Sequence, residues 1–407
     1  MGYNILKIVY FVTNLFVLFS LLACSGGEGD GVLEDNDLLS SSEQLSFYVD
    51  SNGICNGRQP CFVSIPNALI ASRDGQFTAS YEVKRPGSPP DKIIVMPGVY
   101  VTYDPYDPVF TVGLLGERGV DGAWKVDIMA ENGPFETFIS GLNLGPCIEL
   151  LDNLEMTLSG FTITECFESR ESIVNQDYAV YIQSYRNTKI TIKNNVFSNN
   201  ASEHSVIGIS PYFTNIEDLN IRITGNLFVE NIGSIDLDGF PYKPGPEYSA
   251  NILIDNNILY RNQEGIWFKT FTSTTENILI SVVHNTIAFT KGTGIKLAGT
   301  TGLEVKNNIV YGGAFNMTGN AAHHDMANNL LTNENYLEGV SNNIIGNPMF
   351  TRAIDGDFTP LQGSPSIDRG TPLLNEAIST DFYGNNRVVD GDLNNSVIPD
   401  IGAIEVF

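Results

Sequence analysis

An asparagine followed by a short apolar pair returns seven times in the later part of this chain. The clear copies are Asn195-Val196-Phe197, Asn226-Leu227-Phe228, Asn257-Ile258-Leu259, Asn285-Thr286-Ile287 and Asn308-Ile309-Val310. Weaker ones follow at Asn329-Leu330-Leu331 and Asn343-Ile344-Ile345. Successive asparagines are 31, 31, 28, 23, 21 and 14 residues apart. A unit repeating on that scale cannot bury its own apolar face. It stacks on its neighbours, and the product is a solenoid with an extended surface. Asparagine accepts left-handed backbone angles, and its amide can bond to the rung above. A ladder of asparagines at a turn of the coil therefore follows.

A second series runs in step with the first. Its members are Val180-Tyr181-Ile182-Gln183, Ile207-Gly208-Ile209-Ser210, Ile235-Asp236-Leu237-Asp238, Ile266-Trp267-Phe268-Lys269 and Ile295-Lys296-Leu297-Ala298. Strand alternation places the first and third residue of each inside. The second and fourth then form two outward columns. One reads Tyr181, Gly208, Asp236, Trp267, Lys296; the other reads Gln183, Ser210, Asp238, Lys269, Ala298. Further strand-length segments lie at 189–192, 220–223, 251–254 and 303–305, while helical periodicity is nearly absent. The ordered part is predicted to begin at residue 47. A short amphipathic helix is predicted over 65–71, followed by two strands around the turn Pro97-Gly98. That helix suits an N-terminal cap, which shields the open end of a stack.

These repeats resemble the right-handed parallel β-helix of the pectin-lyase-like superfamily, over residues 47–350. The implied fold class is all-β: a right-handed, single-stranded parallel β-helix with an N-terminal helical cap and a C-terminal cap. The remainder, 351–407, belongs to a second resemblance. Asn347-Pro348-Met349-Phe350, Asp357-Phe358, the run from Gly363 to Gly370, Arg387 and the run from Asp400 to Glu405 are similar to the end of bacterial surface proteins called choice-of-anchor Q. In that family the block closes the end of the helix; Ile404 stands where members often carry Tyr.

The N-terminus carries an apolar run after Lys7, ending in Leu21-Leu22-Ala23-Cys24. It is too short for a membrane span and has the form of a signal peptide over 1–23. Its end resembles the lipobox of bacterial lipoproteins, which implies lipidation at Cys24. Ser25 rather than Asp follows, which in such proteins implies the outer membrane. Residues 24–46, rich in Gly, Ser and acids, read as a flexible tether. The expected location is the cell envelope, with the lipid chain holding a monomer to the membrane.

The formal charge of −25, from 47 acids and 22 bases, argues against nucleic acid and anionic lipid as partners, and against a direct polyanion binder unless a divalent cation bridges the two. With Cys24 lipidated, four cysteines remain, outside the cytoplasm. Cys55 and Cys61 bracket a short loop and suit a local disulfide. Cys147 and Cys166 lie 19 apart, close to one coil, and could staple neighbouring rungs.

The outward columns hold the candidate site. In polysaccharide lyases of the resembled fold, acids hold Ca2+ and a Lys or Arg removes a proton from the sugar. Asp236 and Asp238 lie about 7 Å apart along one strand face and would share a Ca2+. Lys269 would be the base. Trp267, Tyr181 and Lys296 would contact a glycan. The readier account of Asp236, Asp238, Lys269 and Lys296 is solvated residues with ordinary cross-strand pairing. The motifs typical of pectate lyases and polygalacturonases are not evident. Asp390-Gly391-Asp392-Leu393-Asn394 has the oxygen spacing of the start of a Ca2+ loop but lacks the later Gly and Glu of an EF-hand. Three functions follow in order: recognition of a glycan or surface polymer along the exposed sheet, a Ca2+-dependent polysaccharide lyase acting on uronate polymers, and a structural or adhesive surface protein.

Overall fold

In the computed structural model, the described residues run from 43 to 407. Segments 77–86, 103–106, 114–122, 152, 168–177, 185–186, 202–204, 212–217, 234, 238–248, 269–277, 298–302, 320–324, 333–341, 373–377 and 396 are excepted. The chain winds through three parallel sheets in turn. Sheet 1 has 11 strands, sheet 2 has 10 and sheet 3 has 8. One coil illustrates the path: Thr137–Ser140 in sheet 2, Ile148–Leu150 in sheet 3, Leu154–Ser159 in sheet 1, then Thr162–Thr164 back in sheet 2. This is a parallel β-helix.

Inward side chains form one continuous core. On sheet 3, Val180, Ile182, Ile207, Ile209, Ile235, Leu237, Ile266, Phe268, Ile295 and Leu297 are all buried, as alternation requires. On sheet 2, Phe197 and Phe228 stack with centroids 4.7 Å apart.

The asparagine repeat makes the predicted ladder, with one change in its geometry. Asn195 donates its backbone N–H and its side-chain Nδ2 to Oδ1 of Asn226, at 3.0 and 3.2 Å. The same double bond links Asn226 to Asn257 to Asn285 to Asn308 to Asn329 to Asn343. The left-handed residue is not this asparagine but the one before it: Asn194, Gly225, Asn256, His284, Asn307, Asn328 and Asn342. The turn thus uses two positions, one to reverse the chain and one to bond neighbouring rungs.

A second, shorter ladder stands at the next corner. Asn200 bonds in the same way to Asn231, and Asn231 to Asn262. Cys166 occupies the preceding place in that column and donates its N–H to Asn200 Oδ1 at 3.1 Å. Cys166 is joined to Cys147, and Cys55 to Cys61. Both expected disulfides are present, and the first staples neighbouring coils where the ladder stops.

At the N-terminal end, helix α1 spans Ile65–Gln76, five residues beyond its predicted end. Ile65, Ala68 and Leu69 join the core, while Ser72 and Gln76 bond the buried Asp91. The first described strand, Ser46–Val49, pairs with Asp91–Val95, and the Lys92 N–H donates to Leu45 O.

The C-terminal residues lie where the sequence did not place them. From about residue 350 the chain runs along the flank of the coil over several rungs. The first apolar residue of each Asn-apolar pair points out of sheet 2. Val196, Leu227, Ile258, Ile309 and Leu330 are nevertheless buried, against Phe358, Ile401, Ala403 and Ile404 of the tail among others. Over these rungs both faces of sheet 2 are therefore covered, as parallel sheets usually are. The left-handed corner residues anchor the tail. Asn256 donates to Thr380 O, Asn307 exchanges two bonds with Thr371, and Asn328 donates to Arg369 O. His284 donates from Nδ1 to Asp400 O at 3.1 Å and accepts at Nε2 from Asn307.

Candidate functional site

The outer face of sheet 3 carries the column expected from the repeats, in continuous register. Tyr181 lies opposite Gly208, then Asp236, Trp267, Lys296 and Thr318 follow; upstream the column continues through Glu149 to Thr111. Thr111, Glu149 and Thr318 were missed in the sequence. Their strands, Phe110–Val112, Ile148–Leu150 and Phe315–Gly319, lie outside the stretch where the motif is regular.

The column is not one open track. Trp267 and Lys296 are half-buried neighbours, and the Lys296 Nζ sits 4.0 Å from the centre of the Trp267 ring. That is a cation–π contact in which each side chain restricts the other. Asp236, in contrast, is fully buried, with 0% exposure. Tyr181 is buried as well and stacks on Tyr178 at 5.2 Å. The Tyr178 ring lies over Gly208, where a Cβ would come within 2.2 Å of it, so no larger residue fits there. The middle of the face is therefore filled. A solvent-facing carboxylate was expected at Asp236, and alternation alone could not reveal its covering. Asp238, Lys269 and Ala298 lie outside the described residues, as does the 238–248 segment. Gln183 and Ser210, of the second column, are half-buried.

At the upstream end, the Thr111 hydroxyl donates to Glu149 Oε2 at 3.2 Å. Burial pushes the Glu149 carboxyl above its ordinary value, against the Thr111 bond.

The calcium expectation fares differently at its two places. Among the described residues, Asp236 belongs to no group of three potential metal ligands, and its expected partner Asp238 lies outside them. Asp390 and Asp392 do meet a third acid, Asp368, with one ligand atom from each within 4.8 Å of the others. These oxygens already accept loop amides. Asp368 takes Gly391 and Asp392 N–H, Asp390 takes Asn394 and Asn395 N–H, and Asp392 takes Asn394. The arrangement accounts for a tight acidic loop without an ion. Burial, with Asp392 beside it, raises the Asp368 carboxyl.

Cys24 and the signal segment also lie outside the described residues. No helix among the described residues is long and apolar enough to cross a membrane.

Comparison with known proteins gives three results. Residues 131–275 match a family described as a protein of unknown function, DUF1565. No curated protein matches. Among solved structures, pectate lyase Pel9A is 14% identical, with a TM-score of 0.42, covering 91% of this chain and 98% of its own. The PL6 family alginate lyase AlyGC is 11% identical, with a TM-score of 0.23, covering 74% of this chain and 55% of its own. The parallel β-helix is established by the three sheets themselves.

Proposed function

We propose that this chain is a lipid-anchored cell-envelope β-helix that binds a glycan at the Trp267–Lys296 end of sheet 3, working as a monomer. The carrying observation is the cation–π pair itself: an ammonium held 4.0 Å from an indole, both partly open, on adjacent strands. The core residues Ile266, Phe268, Ile295 and Leu297 beneath them are fixed, so the pair sits on a rigid base. An acidic sugar, opposed by the net negative charge of the chain but met locally by a cation, would engage both parts, its carboxylate with the ammonium and its C–H face with the indole. Binding without bond cleavage suits the described residues better than the lyase reading, because Asp236 is shut away from solvent.

Retention on immobilised acidic polysaccharides tests this. Trp267→Ala and Lys296→Ala should each weaken binding by about tenfold or more, roughly 1.4 kcal/mol, with the circular-dichroism spectrum unchanged. Equal retention by both variants would remove the site. The same polymers incubated with Ca2+ report on the lyase alternative: growth of unsaturated uronate absorbance would replace binding with catalysis. For the anchor, labelling with a radioactive fatty acid should mark the wild type and not Cys24→Ala, which should leave the membrane fraction.

A further inference from the structure

The interface between the tail and the coil holds a charged group for which no use has appeared. Arg387, on the tail, is fully buried. Its guanidinium donates to Asn256 Oδ1 of the coil, to Gly402 O and, at 3.3 Å, to Glu405 Oε2. Glu405 Oε2 also accepts the Asp400 N–H at 3.0 Å, while Oε1 has no hydrogen-bond partner. The Glu405 N–H donates to Asp381 Oδ2 at 3.1 Å. Three tail carboxyls, Asp381, Asp400 and Glu405, thus gather around one guanidinium. From the coil, Asp255 faces the same guanidinium but is held by Arg222 through a two-point salt bridge. The buried His284 faces it without charge, since its two nitrogens donate to Asp400 O and accept from Asn307.

Counting charges decides the outcome. With every acid ionised, Asp381, Asp400, Glu405 and Asp255 oppose only Arg387 and Arg222. Burying such an excess is costly, and the usual relief is for one acid to keep its proton. Glu405 is the one with an oxygen left unbonded, so it loses least by being neutral. When Glu405 ionises, Arg387 offsets part of its charge, but Oε1 has no donor in the closed tail, and water supplies one if the tail lifts.

We infer that the described residues of 350–407, those other than 373–377 and 396, form a latch on the flank of the coil, and that a proton on Glu405 holds the latch closed. The anchoring points are the corner residues Asn256, His284, Asn307 and Asn328, so release would expose the apolar outer face of sheet 2. Glu405 is raised to about 8 by burial first and by Asp400 second. A group raised in the closed state favours closure at low pH and loses that contribution as pH climbs through the raised value.

Hydrogen exchange of the full chain, corrected for the intrinsic pH dependence of exchange, tests the latch. Between pH 6.5 and 8, the opening equilibrium of tail amides should rise about tenfold per pH unit, then level off. In Glu405→Gln, which mimics the protonated side chain, it should stay flat. Superimposable wild-type and variant profiles would overturn the inference. A direct measurement needs no variant: the carbon-13 carboxyl resonance of Glu405 should titrate well above the ordinary glutamate range. A midpoint inside that range would refute the latch even if the variant failed to fold.

Discussion

A single asparagine in the ladder does several jobs at once. Asn257 Oδ1 accepts two bonds from Asn226, while its Nδ2 donates to Ile223 O and to Asn285. Asn257→Ala would orphan the buried N–H of Asn226 and the carbonyl of Ile223. Each such group costs about 1–3 kcal/mol, so the urea midpoint should fall sharply. Asn194 makes the instructive contrast. It is left-handed at φ 55 and exposed, so Asn194→Gly should leave the midpoint within about 0.5 kcal/mol of wild type. Gly225 has the same backbone form at φ 63, but a Cβ there would meet Asn194 Oδ1 at 2.7 Å. Gly225→Ala should therefore destabilise where Asn194→Gly does not. The sequence displayed the ladder asparagines because they repeat. It hid the division of labour, since both adjacent positions are often asparagine.

At the scale of strands, the informative result is the apolar pair itself. A solenoid needs one inward residue per short strand, and the second apolar residue was a demand for cover from outside. Leu227 shows it: it points away from the core and is still only 2% exposed. Leu227→Ala should cost about 2–5 kcal/mol, as for a core leucine, and denaturant unfolding would measure it. A truly outward residue such as Lys189, 63% exposed and paired with Glu155, should tolerate Ala with little change. The inward and outward positions of sheet 3 were legible because alternation has a fixed period. The covering of Leu227 was not, because it depends on the tail, far away in sequence and without a repeat.

For the whole molecule, the dependence of stability on pH should be set at the tail interface. His284 is held far below its usual value, by burial first and by Arg387 second. Its contribution is present above about pH 6.5 and disappears as pH falls below that. Asp400 is raised to about 6 by burial and Glu405 to about 8, so their contributions disappear as pH rises through those values. On the acid limb, below about pH 6.5, these trends oppose one another; between about 6.5 and 8 only Glu405 of the three changes, and urea midpoints should fall as pH rises. His284→Asn, which puts the residue used elsewhere in the same column, should flatten the acid limb alone. An unchanged acid limb would show that other carboxylates control it.

The ladder bonds stay near 3.0 Å while the chain between consecutive asparagines shortens from 31 residues to 14. Coil length and rung alignment are thus uncoupled. One edge of the prism behaves like the spine of a ring binder, along which pages of unequal width hang level. Insertions at corners that carry no ladder would change what the surface displays without disturbing any rung. Lineages carrying such a chain could therefore exchange loops at those corners freely while the backbone beneath kept its pitch.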